Sequence, residues 1–161
     1  MIHTRQIMGI EIERKFLVRS EAWRGAVVKS CRLRQGYLAH GESATVRVRT
    51  DGHGAWLTIK TPGTGISRPE FEYRIPVDDA EQLLDACGTR VIEKVRHIVP
   101  LGHLQWEVDV FGGNNSGLVL AEIELSSEEE DFERPDWLGV EVSDDRRYDN
   151  ASLALHPLSS Q

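Results

Sequence analysis

The sequence has few of the residues that crosslink or anchor a protein. Among its 161 residues there are only two cysteines, Cys31 and Cys87, far apart and in no CxxC motif. This excludes a disulfide framework and a thiolate zinc site, and it fits a reducing compartment. No apolar run has the length of a signal peptide or a membrane span. We therefore expect a cytoplasmic protein without a membrane partner.

The sequence also has fewer basic than acidic residues: 19 lysines and arginines against 26 aspartates and glutamates, which gives a formal charge of −7. Such a balance argues against binding to nucleic acid or to an anionic membrane. A polyanionic ligand would have to find a local basic site. The length is that of one ordinary domain with a sizeable core. We expect residues 9–161 to form that domain and residues 1–8 to be a tail.

The dominant pattern of the chain is alternation of apolar and polar residues, which is typical of β-strands. Gly-bearing turns separate the alternating segments. The predicted strands cover residues 9–19, 31–39, 44–50, 55–61, 69–75, 91–99, 104–111 and 118–125. Helical spacing appears in three places: a short helix at 20–27, the clearest helix at 78–87 and a final short helix from Asn150.

Eight antiparallel strands with one or two long connections would close naturally into a barrel, which removes exposed strand edges. The sequence therefore predicts an α+β fold dominated by β-structure, a closed eight-stranded antiparallel barrel with a few flanking helices. The GGNNSG segment is the predicted hairpin loop between the last two strands.

Charged residues occupy one face of most predicted strands, as same-sign pairs two positions apart. The six pairs are Glu11 with Glu13, Arg47 with Arg49, Glu70 with Glu72, Lys94 with Arg96, Glu107 with Asp109, and Glu122 with Glu124. Residues i and i+2 of a strand share a face at a separation of roughly 6.6 Å. Like charges at that distance repel, so the pattern indicates that opposite charges or ions face each pair.

Two interpretations of this charged face compete. A single pair is explained well enough by a solvated outer surface. The opposite faces, however, are apolar, as in Val46 and Val48 or in Trp106 and Val108, and they need cover. If they pack outward under that cover, the charged faces line the barrel interior. Arginine and lysine there would bind phosphate oxygens, and carboxylates would bind Mg²⁺ or Mn²⁺.

A series of short motifs resembles the CYTH superfamily, the triphosphate tunnel metalloenzymes, and within it the bacterial inorganic triphosphatases. The start, GIEIERKFLV, carries an ExExK signature, and the rest follow in the expected order and spacing: RQGYL, TVRVR, LTIK, EFEYRI, EKVRH, WEVDVF, GLVLAEIEL and WLGVEVSDD. The resemblance implies an eight-stranded tunnel that hydrolyses triphosphate to pyrophosphate and phosphate, with Mg²⁺ or Mn²⁺, in two ions, as cofactor. The implied partner is a small-molecule triphosphate, and a monomer or a homodimer stays open.

The resemblance also assigns roles to particular residues. Those expected to bind phosphate are Lys15, Arg47, Arg49, Lys60, Lys94 and Arg96. Those expected to bind metal are Glu11, Glu13, Glu122 and Glu124, with Glu70, Glu72 and Asp109 supporting them or holding a second metal. Lys15 and Tyr37 are the expected catalytic residues, although a strand tyrosine is more often part of a core.

Three alternatives remain. Within the family, nucleoside or thiamine triphosphates, or the cyclisation of ATP, would require a ring pocket at the tunnel mouth, for which Trp23, Trp56 and Trp137 are the candidate side chains. A non-catalytic polyphosphate-binding module would use the same basic strands, but it gives no reason for two glutamate pairs. A lipocalin-like barrel is disfavoured because its interior faces would be apolar.

Overall fold

The fold is a twisted antiparallel sheet that curls until its first strand meets two others. A computed structural model describes residues 9–158. The strands are β1 Ile10–Val18, β2 Lys29–His40, β3 Thr45–Thr50, β4 Ala55–Lys60, β5 Ser67–Ile75, β6 Val91–Leu101, β7 Leu104–Phe111, β8 Val119–Glu124 and β9 Leu138–Glu141. The α-helices are α1 Val77–Cys87 and α2 Asn150–Leu155.

Strand β1 closes the barrel, since the sheet order is β5-β4-β3-β2-β6-β7-β8-β1-β9 with an additional β5–β1 pairing. Its edge toward β8 is paired from Glu13 to Leu17. Its other edge is shared: Ile10 to Ile12 pair with β5, and Phe16 and Val18 pair with β9. The predicted closed eight-stranded barrel is therefore confirmed, with β9 as an extra strand beside β1.

An aromatic core lies outside the barrel wall, under the segment that follows β1 and the segment that precedes β9. Phe16, Trp23 and Trp106 are fully buried there, and Trp137 lies beside them. Trp106 meets Phe16 and Trp137 edge to face, at centroid distances of 5.6 Å in both cases. Such pairs each contribute about 0.5–1.5 kcal/mol beyond the burial of their surface. The apolar strand faces thus pack outward, as the alternation predicts.

Helix α1 covers the apolar side of β2 to β4. Its Ala80, Leu84 and Cys87 pack with Val48 and Ala55. A Cβ added at Gly36 would lie 2.7 Å from the Cys87 sulfur, so only glycine lets the helix come this close to β2. The predicted helix at 78–87 is confirmed, and it ends at Gly88, whose φ of +61° is the left-handed conformation that glycine adopts readily.

Helix α2 closes one end of the barrel. Its Leu153, which is fully buried, and its Ala151 and Ala154 pack with barrel residues that share faces with the interior charges. Those barrel residues are Tyr37, Ile92, Phe111 and Leu120. Asn115 fastens this segment, because its side-chain amide donates to the Leu153 carbonyl and accepts from the Leu158 backbone N–H. The predicted final short helix is therefore an end wall of the interior.

Two sequence predictions differ from the structure. The segment 20–27 forms only a short 3₁₀ helix, Ala22–Ala26, because Trp23 is its single buried residue and does not by itself support a longer amphipathic helix. Strand β9, four residues long, was not predicted, because its stability comes from pairing with β1 rather than from its own pattern. The predicted tail, residues 1–8, lies outside the described residues. Within residues 9–158, no helix has the length and apolar composition needed to cross a lipid bilayer.

Candidate active site

The charged faces of the strands meet inside the barrel. Residues directly opposite each other in an antiparallel pair stand on the same face. The register places Lys15 opposite Glu122, Arg47 opposite Tyr37, and Arg96 opposite Asp109. Buried charged residues follow from this arrangement: Lys15, Arg47, Lys94, Asp109 and Glu122 are each at most 9% exposed. The structure thus favours the interior interpretation of the charge pairs over the solvated one.

Two arginines of β3 form a cationic wall with unused donors. The Nε–H groups of Arg47 and Arg49 are buried, and neither meets an acceptor among the described residues. Burial, followed by repulsion from Arg47 and Arg96, lowers the pKa of Arg49 to about 10. A buried donor without a partner is unfavourable by about 1–3 kcal/mol. Both observations indicate a place for an anion.

Lys60 of β4 and Glu11 of β1 form a close ion pair, with 2.6 Å between Nζ and Oε2. Burial opposes ionisation of Glu11, but attraction to Lys60, the hydrogen bond from Lys60 and attraction to Arg47 and Arg68 together outweigh it and lower the pKa of Glu11 to about 2. Glu11 is therefore a carboxylate at neutral pH. The contact spans β5, which lies between β4 and β1 where the barrel closes. It links a predicted phosphate-binding residue, Lys60, to a predicted metal-binding residue, Glu11.

Asp109 of β7 is the centre of a buried ion network. It is fully buried, and its carboxylate accepts from Lys94 Nζ at 2.6 Å and from Arg96 Nε and Nη2 at 2.8 Å each. Arg96 also pairs with Glu107 at 2.5 Å and with Glu122 at 3.3 Å. Asp109 thus orients two predicted phosphate-binding residues, Lys94 and Arg96. Glu107, to which sequence analysis gives no role, also contacts Arg96.

The carboxylates of β1 and β8 crowd around Glu13. Burial, then repulsion from Glu122 and from Glu11, raises the pKa of Glu13 well above its usual range. Glu124 lies opposite Glu13 in the β1–β8 register and is exposed. Glu122 accepts no hydrogen bond at Oε1, although Lys15 Nζ lies 3.4 Å away. A cation placed among these oxygens would relieve the repulsion.

The crowded carboxylates of β1 and β8 are the described residues that could hold a divalent metal. Within residues 9–158, no three carboxylate, histidine or cysteine side chains converge into a preformed metal site. Mg²⁺ is usually held by one or two carboxylates, with water and substrate phosphates as its other ligands. Glu13 and Glu122, with Glu124 directly opposite Glu13 and Glu11 two residues further along β1, match that kind of site.

The two predicted catalytic residues lie near the end closed by α2. Lys15 Nζ donates to the Tyr148 carbonyl at 3.0 Å. Burial lowers its pKa, but attraction to Glu122 and Glu13 outweighs burial and raises it. Tyr37 is buried, and burial raises its pKa as well. Lys15 is therefore a fixed cation, and Tyr37 keeps its proton.

Besides Glu107, three described residues that contribute to the interior were missed by sequence analysis. Gln35, fully buried, donates to the Tyr37 hydroxyl at 3.0 Å and leaves its Oε1 without a hydrogen bond. Thr58, also fully buried, contacts Arg47 and Glu72. Asn150 Oδ1 accepts from Lys94 Nζ at 3.3 Å. Gln35 and Thr58 could have been identified from their period-two spacing with Tyr37 and Lys60, but Asn150 reaches the interior only through the fold.

The protein is a closed antiparallel barrel whose interior carries both cationic and acidic side chains. It therefore belongs to the class of charged tunnel proteins. Residues 9–153 match the CYTH domain, and the chain belongs to that family. An inorganic triphosphatase of Acetivibrio thermocellus is 46% identical over 151 residues, covering 93% of this chain and 96% of that protein. An inorganic triphosphatase of Nitrosomonas europaea is 42% identical over 150 residues, covering 90% and 97%.

A crystal structure of an inorganic triphosphatase resembles this fold with a TM-score of 0.63 and 38% sequence identity, covering 90% of this chain and 94% of that one. The resemblance to the CYTH superfamily is therefore confirmed, and the fold of this chain has an experimental counterpart.

Proposed function

We propose that this protein hydrolyses inorganic triphosphate to pyrophosphate and phosphate, using Mg²⁺ or Mn²⁺. The observation that carries the proposal is the pair of buried Nε donors on Arg47 and Arg49, which face the interior of the same barrel as the crowded carboxylates of β1 and β8. The names of the two curated relatives support inorganic triphosphate as the substrate.

The cationic side chains would hold the triphosphate chain along the tunnel. Arginine forks suit bidentate contact with phosphate oxygens, and lysine supplies a point charge. Arg47 and Arg49 have free Nε donors, whereas Lys94 and Arg96 are oriented by Asp109. Lys60 is oriented by Glu11. Because α2 closes one end, we propose that substrate enters from the other.

Glu13 and Glu122 would hold the metal, with Glu11 and Glu124 beside them and Glu70, Glu72 and Asp109 in support or at a second metal. A bound divalent cation supplies charge neutralisation at the phosphate oxygens and a lowered pKa for water. In the reaction, water adds to a terminal phosphorus, the bond from that phosphorus to the bridging oxygen breaks, and the bridging oxygen leaves with pyrophosphate. The proton that water gives up passes to the departing pyrophosphate or to solvent.

Lys15 and Tyr37 would act on that step without becoming bases. Lys15 keeps its positive charge, because Glu122 and Glu13 raise its pKa, so it stabilises the negative charge that spreads over the phosphoryl oxygens. Tyr37, whose pKa burial raises, is available as a hydrogen-bond donor. The chemistry is therefore mostly positioning and electrostatic stabilisation.

The test is a phosphate-release assay over inorganic triphosphate, ATP and thiamine triphosphate, with Mg²⁺, with Mn²⁺ and with EDTA. We expect metal-dependent release, greatest for inorganic triphosphate, and a loss of at least about 100-fold in Glu13→Gln and Lys15→Ala, since single charge-stabilising groups typically contribute 10²–10³. Arg32→Ala is the matched control, because Arg32 is exposed on β2, and it should retain activity.

The alternatives have distinct outcomes in the same assay. Higher turnover of ATP or thiamine triphosphate would favour a ring pocket. Trp56 is a candidate side chain for it, because Trp56 lies opposite Arg49 with 5.8 Å between the guanidinium carbon and the ring centroid. Binding without turnover would indicate a polyphosphate-binding module. An absence of turnover with every substrate and both metals would refute the proposal.

A further inference from the structure

Thr58 of β4 lies between two residues of opposite charge inside the tunnel. It is fully buried, between Arg47 on β3 and Glu72 on β5, each directly opposite it in register. Arg47 Nη2 donates to its Oγ1 at 3.1 Å, and that hydroxyl donates to Glu72 Oε2 at 3.0 Å. The three side chains form one hydrogen-bonded chain across three strands.

The hydroxyl is suited to this place because it has both an acceptor site and a single proton. Its oxygen receives the arginine and its proton points to the glutamate, so the direction of the chain is fixed. Neither an apolar side chain nor an acceptor-only one could satisfy both neighbours. A buried side chain of the same shape without the hydroxyl would leave both charged partners short of a hydrogen bond.

Thr58 also affects the distance between opposite charges. Glu72 Oε2 lies 3.7 Å from Arg47 Nη2 and 3.7 Å from Arg49 Nη2. Both separations are longer than a hydrogen bond, so neither arginine is engaged bidentately by Glu72. The Nε donors of both arginines remain without acceptors. The contact with Thr58 therefore holds Glu72 close enough to balance the arginines without occupying their forks.

We infer that Thr58 is a positioning residue, which keeps the Nε donors of Arg47 and Arg49 open for phosphate by fixing Glu72 where it does not hydrogen-bond either arginine. The inference rests on the proposed function and extends it, since it names the group that prevents the empty site from closing on itself. Without the hydroxyl, Glu72 and Arg47 have no intervening partner, and their direct ion pair would compete with the substrate for the same donors.

The test compares Thr58→Val, which keeps the shape and removes the hydroxyl, with Thr58→Ser, which restores it. Hydrogen bonds to charged groups contribute about 1.5–3 kcal/mol, so we expect KM for inorganic triphosphate to rise about 10- to 100-fold in Thr58→Val. A change confined to ground-state binding leaves kcat close to wild type. Thr58→Ser should stay within about threefold of wild type in KM, because it keeps the hydroxyl.

Thr50→Val is the matched control for loss of a buried hydroxyl. Thr50 is 3% exposed, and its hydroxyl donates to the Gly54 carbonyl in the β3–β4 turn, not to a tunnel residue. It should lower thermal stability without raising KM. Equal KM in Thr58→Val and wild type, or equal damage in Thr58→Val and Thr58→Ser, would overturn the inference.

Calorimetric titration with inorganic triphosphate in EDTA separates this inference from the proposed function, because it measures anion binding without turnover. We expect Thr58→Val to bind about 10- to 100-fold more weakly than wild type. In the double variant Thr58→Val/Glu72→Gln, the uncharged amide cannot form the competing ion pair, so affinity should be regained relative to Thr58→Val. Equal affinity of Thr58→Val and wild type for triphosphate would overturn the inference, whether or not wild type hydrolyses triphosphate. An absence of triphosphate binding by wild type would also overturn it.

Discussion

Removing the carboxylate of Asp109 should destabilise the folded protein more than any exposed charge does. Asp109→Ala would leave Lys94 Nζ, whose side chain is 1% exposed, and Arg96, whose side chain is 13% exposed, without the oxygens that they contact at 2.6 and 2.8 Å. Breaking a buried ion pair by removing one partner is unfavourable by about 3–5 kcal/mol. Two cations depend on this one carboxylate, so we expect a value in the upper part of that range.

The assay is urea unfolding at neutral pH in EDTA. With a slope of about 2 kcal/mol per molar urea, a loss of about 4–5 kcal/mol corresponds to a shift in midpoint of about 2–2.5 M. Glu93→Ala is the matched control on β6, because the Glu93 side chain is 63% exposed and pairs with Arg34 at 3.8 Å. Exposed pairs contribute about 0–1 kcal/mol. Similar midpoints for the two variants would refute the reasoning that the interior ions are desolvated and mutually dependent.

Two further predictions concern pH and the closed end. The pKa of Glu13 is raised, so the folded protein keeps a proton that the unfolded chain releases above about pH 4.5, and stability in EDTA should fall as pH rises from there. Glu70 and Glu107 contribute to the same dependence of stability on pH, because burial raises their pKa values. Glu13→Gln or added Mg²⁺ should make this dependence weaker. An unchanged dependence would contradict the assignment. Leu153→Ala, at a fully buried position, should lower the free energy of unfolding by about 2–5 kcal/mol. It should also reduce kcat, because it loosens the contact of Tyr148 with Lys15 and that of Asn150 with Lys94. Leu155→Ala, at a residue that is 38% exposed, should have neither effect.

The barrel and its charged interior could be predicted because strand alternation is a local property of the sequence. Glu11 and Glu13, or Lys94 and Arg96, share a face through period two alone, and the apolar residues between them must then find cover. The same reasoning located α1, whose apolar spacing and Gly88 are visible within one segment. The closing strand pairs follow from the need to remove edges.

The contacts that depend on register could not be predicted in the same way. Thr58 meets Arg47 and Glu72 only because β4 lies between β3 and β5 in this alignment, and a shift by one residue would reverse its face. Asn150 and the Tyr148 carbonyl reach Lys94 and Lys15 from a segment more than 50 residues away. Strand β9 has only four residues and depends on β1 for its pairing.

The most direct test of a triphosphate tunnel follows inorganic triphosphate by phosphorus NMR in the presence of Mg²⁺, for wild type, Arg47→Ala and Arg32→Ala. Wild type and Arg32→Ala should convert the triphosphate signals into those of pyrophosphate and phosphate in equal amounts. Arg47→Ala, which removes a buried guanidinium with an unpartnered Nε, should be slower by about 100-fold or more. Persistence of triphosphate with wild type, or equal rates for wild type and Arg47→Ala, would contradict the account.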